Sequence, residues 1–440
     1  MRLYSTKNPS KFVSLKEAVF KGLPEDNGLF MPEFIPQLPA DFLENLKNHS
    51  FQSIAFEVSR HLLSGGSSLG SENISDNDLK EIIEKSIDFP APVVRLDDDT
   101  HILELFHGPS LAFKDFGARF MAQLMAYFNK KDDKELVILV ATSGDTGGAV
   151  AAGFYKALGI KVVILYPSGK VSMLQEKQLT TLGENITALE VQGTFDDCQA
   201  LVKKAFLDSE LTSKIRLSSA NSINIARLIP QSFYYFEAFK QVDNTKGKPL
   251  VFSIPSGNFG NLTAGLFAKK MGLHIHKFIA ATNLNASVPK YLKTGDFQPH
   301  PSVRTLSNAM DVGNPSNFAR MLDIFGSTWN NMAADIKGYS YDDVDTKTAM
   351  VEVFQKYNYI LDPHGAVGYL ALKEYQKEND VVGVVLETAH PAKFLEDVES
   401  ILNKKIDIPK RLASLADKKK ESILRGIDFE GFKDWLLENY

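Results

Sequence analysis

The sequence carries a single cysteine, Cys198, among 440 residues, so no intrachain disulfide can close and a reducing, cytoplasmic setting is expected. The opening run from Met1 to Lys7 lacks the apolar core of a secretory signal, in keeping with that expectation. No uncharged apolar run reaches the roughly 18 residues of a membrane span. Positive charge is not in excess: 49 Lys plus Arg stand against 54 Asp plus Glu, a net charge of −5 that offers no global attraction to nucleic acid or an anionic membrane. A Walker-type phosphate loop, a Gly-x-Gly-x-x-Gly and a His-Glu-x-x-His are all missing, as is any internal repeat. Gly66-Ser67-Ser68-Leu69-Gly70 has the spacing of a nucleophile elbow, but no apolar strand precedes it and it reads as a loop. His274 and His276 would share a strand face, yet no cysteine or carboxylate lies nearby to complete a metal site, and no metal is expected. Asp97-Asp98-Asp99 reads as a solvated turn, and Lys418-Lys419-Lys420 as the solvated face of a terminal helix.

What is present is an ordinary globular balance, 44% hydrophobic and 23% charged, long enough for two or three domains. From Lys134 onward, short Val- and Ile-rich runs alternate with polar turns and helix-like segments, the pattern of a parallel sheet. The strands expected are Glu135 to Val140, Lys161 to Leu165, Leu250 to Ile254, Phe278 to Ala281 and Val381 to Leu386. Four of them end in turns of small polar residues, at 142–147, 167–169, 255–258 and 387–390, and in open α/β sheets ligands bind beyond such strand ends. The first 95 residues read as a separate N-terminal unit, with a helix over Asp78 to Ile87 and a break at Asp88-Phe89-Pro90-Ala91-Pro92. A core over 96–400 and a helical C-terminal segment over 401–440 complete the division. The polar run Gln241 to Lys248 is either a crossing between two lobes or a surface loop.

Three elements carry chemistry. In the segment His107 to Arg119, apolar residues recur at Phe116, Phe120, Leu124 and Phe128, one face of a helix for which Asp115 is the candidate N-cap. Lys114 then stands at the helix start among Ala112, Phe113 and Phe116. Desolvation there favours the neutral amine that attacks an aldehyde, the alternative being a lysine that snorkels to solvent. Ser256-Gly257-Asn258-Phe259-Gly260-Asn261 joins an expected strand to an expected helix, so its N–H groups can close round a phosphate. Glu387-Thr388-Ala389-His390-Pro391 places a hydroxyl at another strand end. A lysine, a phosphate cup and a lone hydroxyl are what a fold must present to pyridoxal 5'-phosphate.

These segments, with the loop Thr142-Ser143-Gly144-Asp145-Thr146-Gly147 and the opening motifs Tyr4 to Pro9 and Gly28 to Glu33, resemble the threonine synthase family, in its branch with a long N-terminal extension. The resemblance spans nearly the whole chain and implies a two-lobed α/β fold of open, twisted, mostly parallel sheets, the tryptophan-synthase-β-like fold, with an added N-terminal domain. It implies a pyridoxal-phosphate-dependent lyase of amino-acid biosynthesis that converts O-phospho-L-homoserine and water to L-threonine and phosphate, as a monomer or weak homodimer. Position by position, Lys114 matches the lysine that holds the cofactor and is the candidate general base. Gly257, Asn258, Phe259, Gly260 and Asn261 match the cofactor-phosphate loop, and Thr388 the residue facing the pyridine nitrogen. Thr142, Ser143, Asp145 and Thr146 belong to the loop resembling the one that holds the substrate carboxylate, and Arg227 matches an arginine for the substrate's phosphate. Ser110 departs from the threonine expected there but keeps the hydroxyl. The rival readings are a serine or threonine dehydratase, which needs no second phosphate site, and a non-catalytic relative that binds phosphorylated ligands.

Overall fold

The computed structural model describes residues 1–64, 74–130, 135–142, 144–242 and 247–440. Its strands are β1 (Arg2–Ser5), β2 (Asn8–Ser14), β3 (Phe30–Pro32), β4 (Val93–Arg95), β5 (Thr100–Glu104), β6 (Leu136–Ala141), β7 (Ile160–Pro167), β8 (Ile186–Val191), β9 (Arg216–Ser219), β10 (Leu250–Pro255), β11 (Lys277–Thr282), β12 (Ile336–Ser340), β13 (Val382–Glu387) and β14 (Ile423–Arg425). All five strands expected from the sequence are among them, displaced by a residue or two. β6, β10 and β13 are buried at every position, which is why they read as unbroken apolar runs rather than as alternation.

The strands form three sheets. β2-β1-β3 is antiparallel and belongs to the N-terminal unit. A six-stranded sheet has the order β12-β11-β10-β13-β5-β4, parallel except for β4, and a five-stranded sheet, wholly parallel, the order β14-β8-β7-β6-β9. In the first of these the order reverses between β10 and β13; in the second it reverses between β6 and β9. Crevices at such reversals are where doubly wound sheets bind ligands. The chain passes from β9 of the five-stranded sheet to β10 of the six-stranded sheet through helices that end at Gln241, and Tyr235 in the last of them already packs on Phe252 and Phe278 of the six-stranded sheet.

Packing follows the helix face read from the sequence. Phe116, Phe120 and Leu124 of the helix Lys114–Asn129 are fully buried, with Phe116 against Tyr234 and Phe120 against Phe233 at ring-centroid distances of 5.3 and 5.8 Å. The N-terminal unit docks on this helix, where Arg119 donates to the carbonyls of Ser86 and Lys85 and pairs with Asp88 at 2.6 Å.

β4 pairs with β5, so the chain has joined the core sheet by Val93. Two sequence expectations need correction. The C-terminal segment is not purely helical, because Ile423–Arg425 adds an edge strand to the five-stranded sheet, a run too short to register as a strand in the sequence. Lys418 to Lys420 lie in a loop beyond the helix Lys410–Ala416; Lys420 pairs with Glu176 and Glu190 at 2.6 Å each. Asp97 to Asp99 do form a turn, with Asp97 accepting from Tyr357 at 2.7 Å. His274 and His276 are exposed on the connection before β11, and no group of His, Cys, Asp and Glu among the described residues could hold a metal ion. Gly66 to Gly70 lie outside the described residues. No helix among the described residues is long and apolar enough to cross a membrane.

Candidate active site

The two sheet reversals supply four turns. Those after β10 and β13 come from the six-stranded sheet, and those after β6 and β9 from the five-stranded one. The segment before Lys114 is tied to the turn after β13. Ala112 bridges Ala389, Phe113 N–H donates to Thr388 O at 2.9 Å, and His390 N–H donates to Leu111 O at 3.0 Å. Leu111 adopts φ 59 at the reversal. Lys114 and Thr388, 274 positions apart, therefore line one cleft, together with Asp145, Arg227, His364 and the turn 257–261.

Asp115 is not the N-cap. Phe113 occupies that position, while the Asp115 carboxylate turns back to accept the Ser110 N–H at 2.8 Å, and burial raises it to about 6. Gly108 is obligatory at this fold-back, because a Cβ there would lie 2.4 Å from Asp115 Oδ2. Lys114 keeps some exposure through the cleft and forms no ion pair among the described residues; its Nζ lies 4.6 Å from the Phe113 ring centroid. Burial first, and then the charge of Arg227, lower its amine from 10.5 to about 8.

The turn after β10 is held by its side chains. Asn261 Nδ2 donates to Pro255 O at 2.8 Å, Asn258 Nδ2 donates to Ser222 Oγ at 2.6 Å, and Asn258 Oδ1 accepts Ser316 N–H at 2.6 Å. The main-chain N–H groups of Gly257, Asn258, Phe259, Gly260 and Asn261 donate to no protein acceptor among the described residues. Phe259, in the left-handed region at φ 59, bends them inward at the start of the helix Gly260–Lys270. The two glycines differ. A Cβ on Gly257 would come within 2.8 Å of Met310 Cα, so that residue admits the 309–310 backbone. A Cβ on Gly260 would meet nothing in the protein nearer than Asn317 Nδ2 at 3.6 Å.

Arg227 is 1% exposed, with Nη1 donating to Ala220 O at 3.0 Å, no carboxylate partner and no partner at all for Nε among the described residues. Burial lowers its guanidinium to about 10. A buried cation without a counter-ion is costly unless an anion completes it.

The 142–147 turn departs from the expectation that its hydroxyls face the ligand. Thr142 Oγ1 accepts the N–H groups of Gly144 and Gly147 at 3.0 and 2.9 Å and so organises the loop from within. Thr142 and Thr146 are not among the cleft-lining residues, Ser143 lies outside the described residues, and Asp145 alone reaches the lining. Sequence reasoning missed its partner, Lys393, fully buried at 2.7 Å from Asp145 Oδ1. Lys393 sits in Pro391-Ala392-Lys393-Phe394, an apolar setting of the kind that singled out Lys114. Also missed was the group behind Thr388. Asp362 accepts from His364 Nδ1, His364 Nε2 accepts Ala309 N–H at 3.2 Å, and Asp362 N–H donates to Glu387 Oε1 at 2.6 Å. Burial and then the Asp362 charge hold the Glu387 carboxyl well above its usual range.

A cup of five free N–H groups, an unpaired lysine amine and a hydroxyl at a strand end fit pyridoxal phosphate: an anion site, an aldehyde partner and a hydrogen bond for the ring nitrogen. Residues 90–387 match the family of pyridoxal-phosphate dependent enzymes, which is the class that this fold and cleft define. Residues 2–87 match the family described as threonine synthase N terminus, and residues 365–433 that described as threonine synthase, C-terminal. The threonine synthase of Serratia marcescens is 46% identical over 418 residues, covering 95% of this chain and 94% of that one. The crystal structure of threonine synthase from Escherichia coli superposes with a TM-score of 0.91 at 43% identity, covering 100% of both chains. The pyridoxal-phosphate-bound threonine synthase from Brucella melitensis superposes with a TM-score of 0.91 at 31% identity, covering 100% of this chain and 99% of that one. The chain belongs to the threonine synthase family, and its cofactor is pyridoxal phosphate.

Proposed function

We propose that the cleft converts O-phospho-L-homoserine and water to L-threonine and phosphate, with Lys114 as the group that holds the cofactor and moves protons. The observation that carries this reading is a pair of separate anion sites flanking one unpaired amine: the N–H cup at 257–261 and the uncompensated Arg227. A dehydratase of hydroxyamino acids needs only the first. Pyridoxal phosphate, when bound, supplies the electron withdrawal that acidifies the amino acid at Cα.

The chain's own residues do the rest. The 257–261 amides would hold the cofactor phosphate, and the Thr388 hydroxyl would offer the ring nitrogen a hydrogen bond without adding a charge. Burial and the Arg227 charge lower the Lys114 amine, which suits it, whenever it is not bonded to the cofactor, to take a proton from Cα and return protons to the neighbouring carbons. Arg227 binds the substrate's phosphate and stabilises it as it leaves. The substrate carboxylate falls to the 142–147 turn, where the N–H groups of Asp145 and Thr146 open the helix Asp145–Phe154 without a protein acceptor among the described residues. Lys393 neutralises Asp145 and so keeps that end of the cleft compatible with an anion. The N-terminal unit to about residue 95, the core to about 400 and the C-terminal segment form one working chain, read here as a cytoplasmic monomer or weak homodimer.

Phosphate release from O-phospho-L-homoserine, run beside ammonia release from L-serine, tests the reading. Threonine and phosphate in equal amounts, abolished in Lys114→Ala, support it. Deamination of L-serine without phosphate release would replace it with the dehydratase reading, and no turnover of either with the binding reading.

A further inference from the structure

Arg320 is fully buried and forms no ion pair among the described residues, yet it does not line the cleft that holds Lys114 and Arg227. Its donors go to three separate parts of the chain. Nε and Nη2 both donate to Phe30 O in β3, at 3.1 and 3.0 Å; Nη2 also donates to Ile223 O at 2.7 Å; Nη1 donates to Asn317 Oδ1 at 2.8 Å. Asn317 then donates from Nδ2 to Asn258 O at 3.0 Å, on the phosphate turn. Because Arg320 takes the amide oxygen of Asn317, it fixes which way that amide faces.

A second tie runs alongside. Asn224 caps the short helix that bears Arg227, with Oδ1 accepting Ala226 N–H at 3.0 Å, while its Nδ2 donates to Val19 O in the N-terminal unit at 2.8 Å. Tyr4 of β1 also donates to Asp323, on the helix that carries Arg320, at 2.6 Å. The segment 221–227 is thus held between the N-terminal unit on one side and, through Ser222 and Asn258, the phosphate turn on the other.

We propose that the N-terminal unit sets the spacing of the two anion sites, with Arg320, acting through Asn317 and Ile223, and Asn224 as positioning residues for the phosphate turn and for Arg227. The guanidinium fork matters more than its charge, because it meets carbonyl and amide oxygens only, in a planar array an ammonium cannot reproduce. The proposal rests on the reading of 257–261 and Arg227 as anion sites, and the experiment separates the two.

Three variants of the full chain divide the ties: Asn317→Asp removes the donor to Asn258 O, Asn224→Asp keeps the helix cap but drops the donor to Val19 O and, at 3.2 Å, to Ser219 O, and Arg320→Lys keeps the charge without the fork. Cofactor affinity is read by titrating pyridoxal phosphate into stripped protein, and KM and kcat are read with O-phospho-L-homoserine on the holoenzyme. Asn317→Asp should weaken cofactor binding roughly three- to tenfold, the worth of one hydrogen bond. Asn224→Asp should raise KM by a similar factor with cofactor affinity unchanged, and Arg320→Lys should do both. Gly260→Val is the control for the site itself. If it weakens cofactor binding while folded Asn317→Asp and Arg320→Lys bind cofactor like the parent, the positioning role is refuted. If Asn224→Asp loses thermal stability but keeps KM, its tie is structural only and that half of the proposal falls. If Gly260→Val also binds normally, the reading of the turn as a phosphate site falls first.

Discussion

An amine lowered from 10.5 to about 8 is a large perturbation, corresponding to about 3 kcal/mol against the charged form of Lys114. At pH 7 it makes the neutral fraction about 10% instead of about 0.03%, a gain of roughly 300-fold in the form that attacks a carbonyl or takes a proton from carbon. Burial is the larger cause and the Arg227 charge the next. Arg227→Met should therefore raise the Lys114 value, but by less than the full distance back to 10.5. Competitive trace acetylation of cofactor-free protein across pH 6 to 11, with the Lys114 peptide quantified by mass spectrometry, reads the neutral fraction directly. The reactivity should inflect near pH 8 in the parent and at higher pH in Arg227→Met. A parent inflection at or above 10 would refute the desolvation argument. An inflection that fails to rise in Arg227→Met would show that the two cations are not coupled.

Arg227→Ala should lower kcat/KM for O-phospho-L-homoserine roughly ten- to a hundredfold, on the order of 1.5 to 3 kcal/mol, with Arg227→Lys only partly effective. Spectral titration with L-serine should be nearly unaffected by either change; equal weakening of both ligands would place Arg227 at the carboxylate. Gly260→Val should keep the cofactor-free melting temperature within a few degrees while binding pyridoxal phosphate far more weakly, whereas Gly257→Ala, which collides with Met310 Cα, should cost about 1 to 3 kcal/mol of stability in cofactor-free denaturant unfolding. Glu387 binds its proton more tightly folded than unfolded, so its contribution is full below about pH 4.5 and declines as pH rises. Glu387→Gln, which carries no titratable group, should gain stability relative to the parent between pH 5 and 8 in thermal unfolding, and a gap that narrows over that window would contradict the upward shift of Glu387.

The parts of this fold legible in the sequence are those whose environment is uniform along the chain. β6, β10 and β13 are covered on both faces, so their apolar runs and the turns that end them stand out. β14, exposed at Ile423 and Leu424, and β9, half-buried over its first two residues, have no such signature, and each is a strand only because a distant one pairs with it. The site divides in the same way. Lys114, the 257–261 turn and Thr388, which line one cleft, are legible as candidates because each stands beside a local pattern, a helix face or a strand end. The role of Thr142 is not legible locally, since a hydroxyl in a glycine-rich turn can serve a ligand or its own loop, and here its oxygen accepts two N–H groups of that loop. Asp115 failed as a cap for a related reason: the Ser110 amide reaches it through a fold-back set by Gly108. Lys393, His364 and Asp362 reach the cleft through contacts distant in sequence: Lys393 meets Asp145 across 248 positions, His364 meets Ala309 across 55 and Asp362 meets Glu387 across 25.

The central claim is that Lys114, and not the other buried lysine beside the cleft, is the amine that carries the cofactor. Borohydride reduction of the holoenzyme followed by peptide mapping tests it most directly. The pyridoxyl group should appear in near-stoichiometric amount on the peptide containing Lys114, with Lys393 unmodified behind its pairing to Asp145. A pyridoxyl group on Lys393, or one scattered over surface lysines with Lys114 free, would contradict the account.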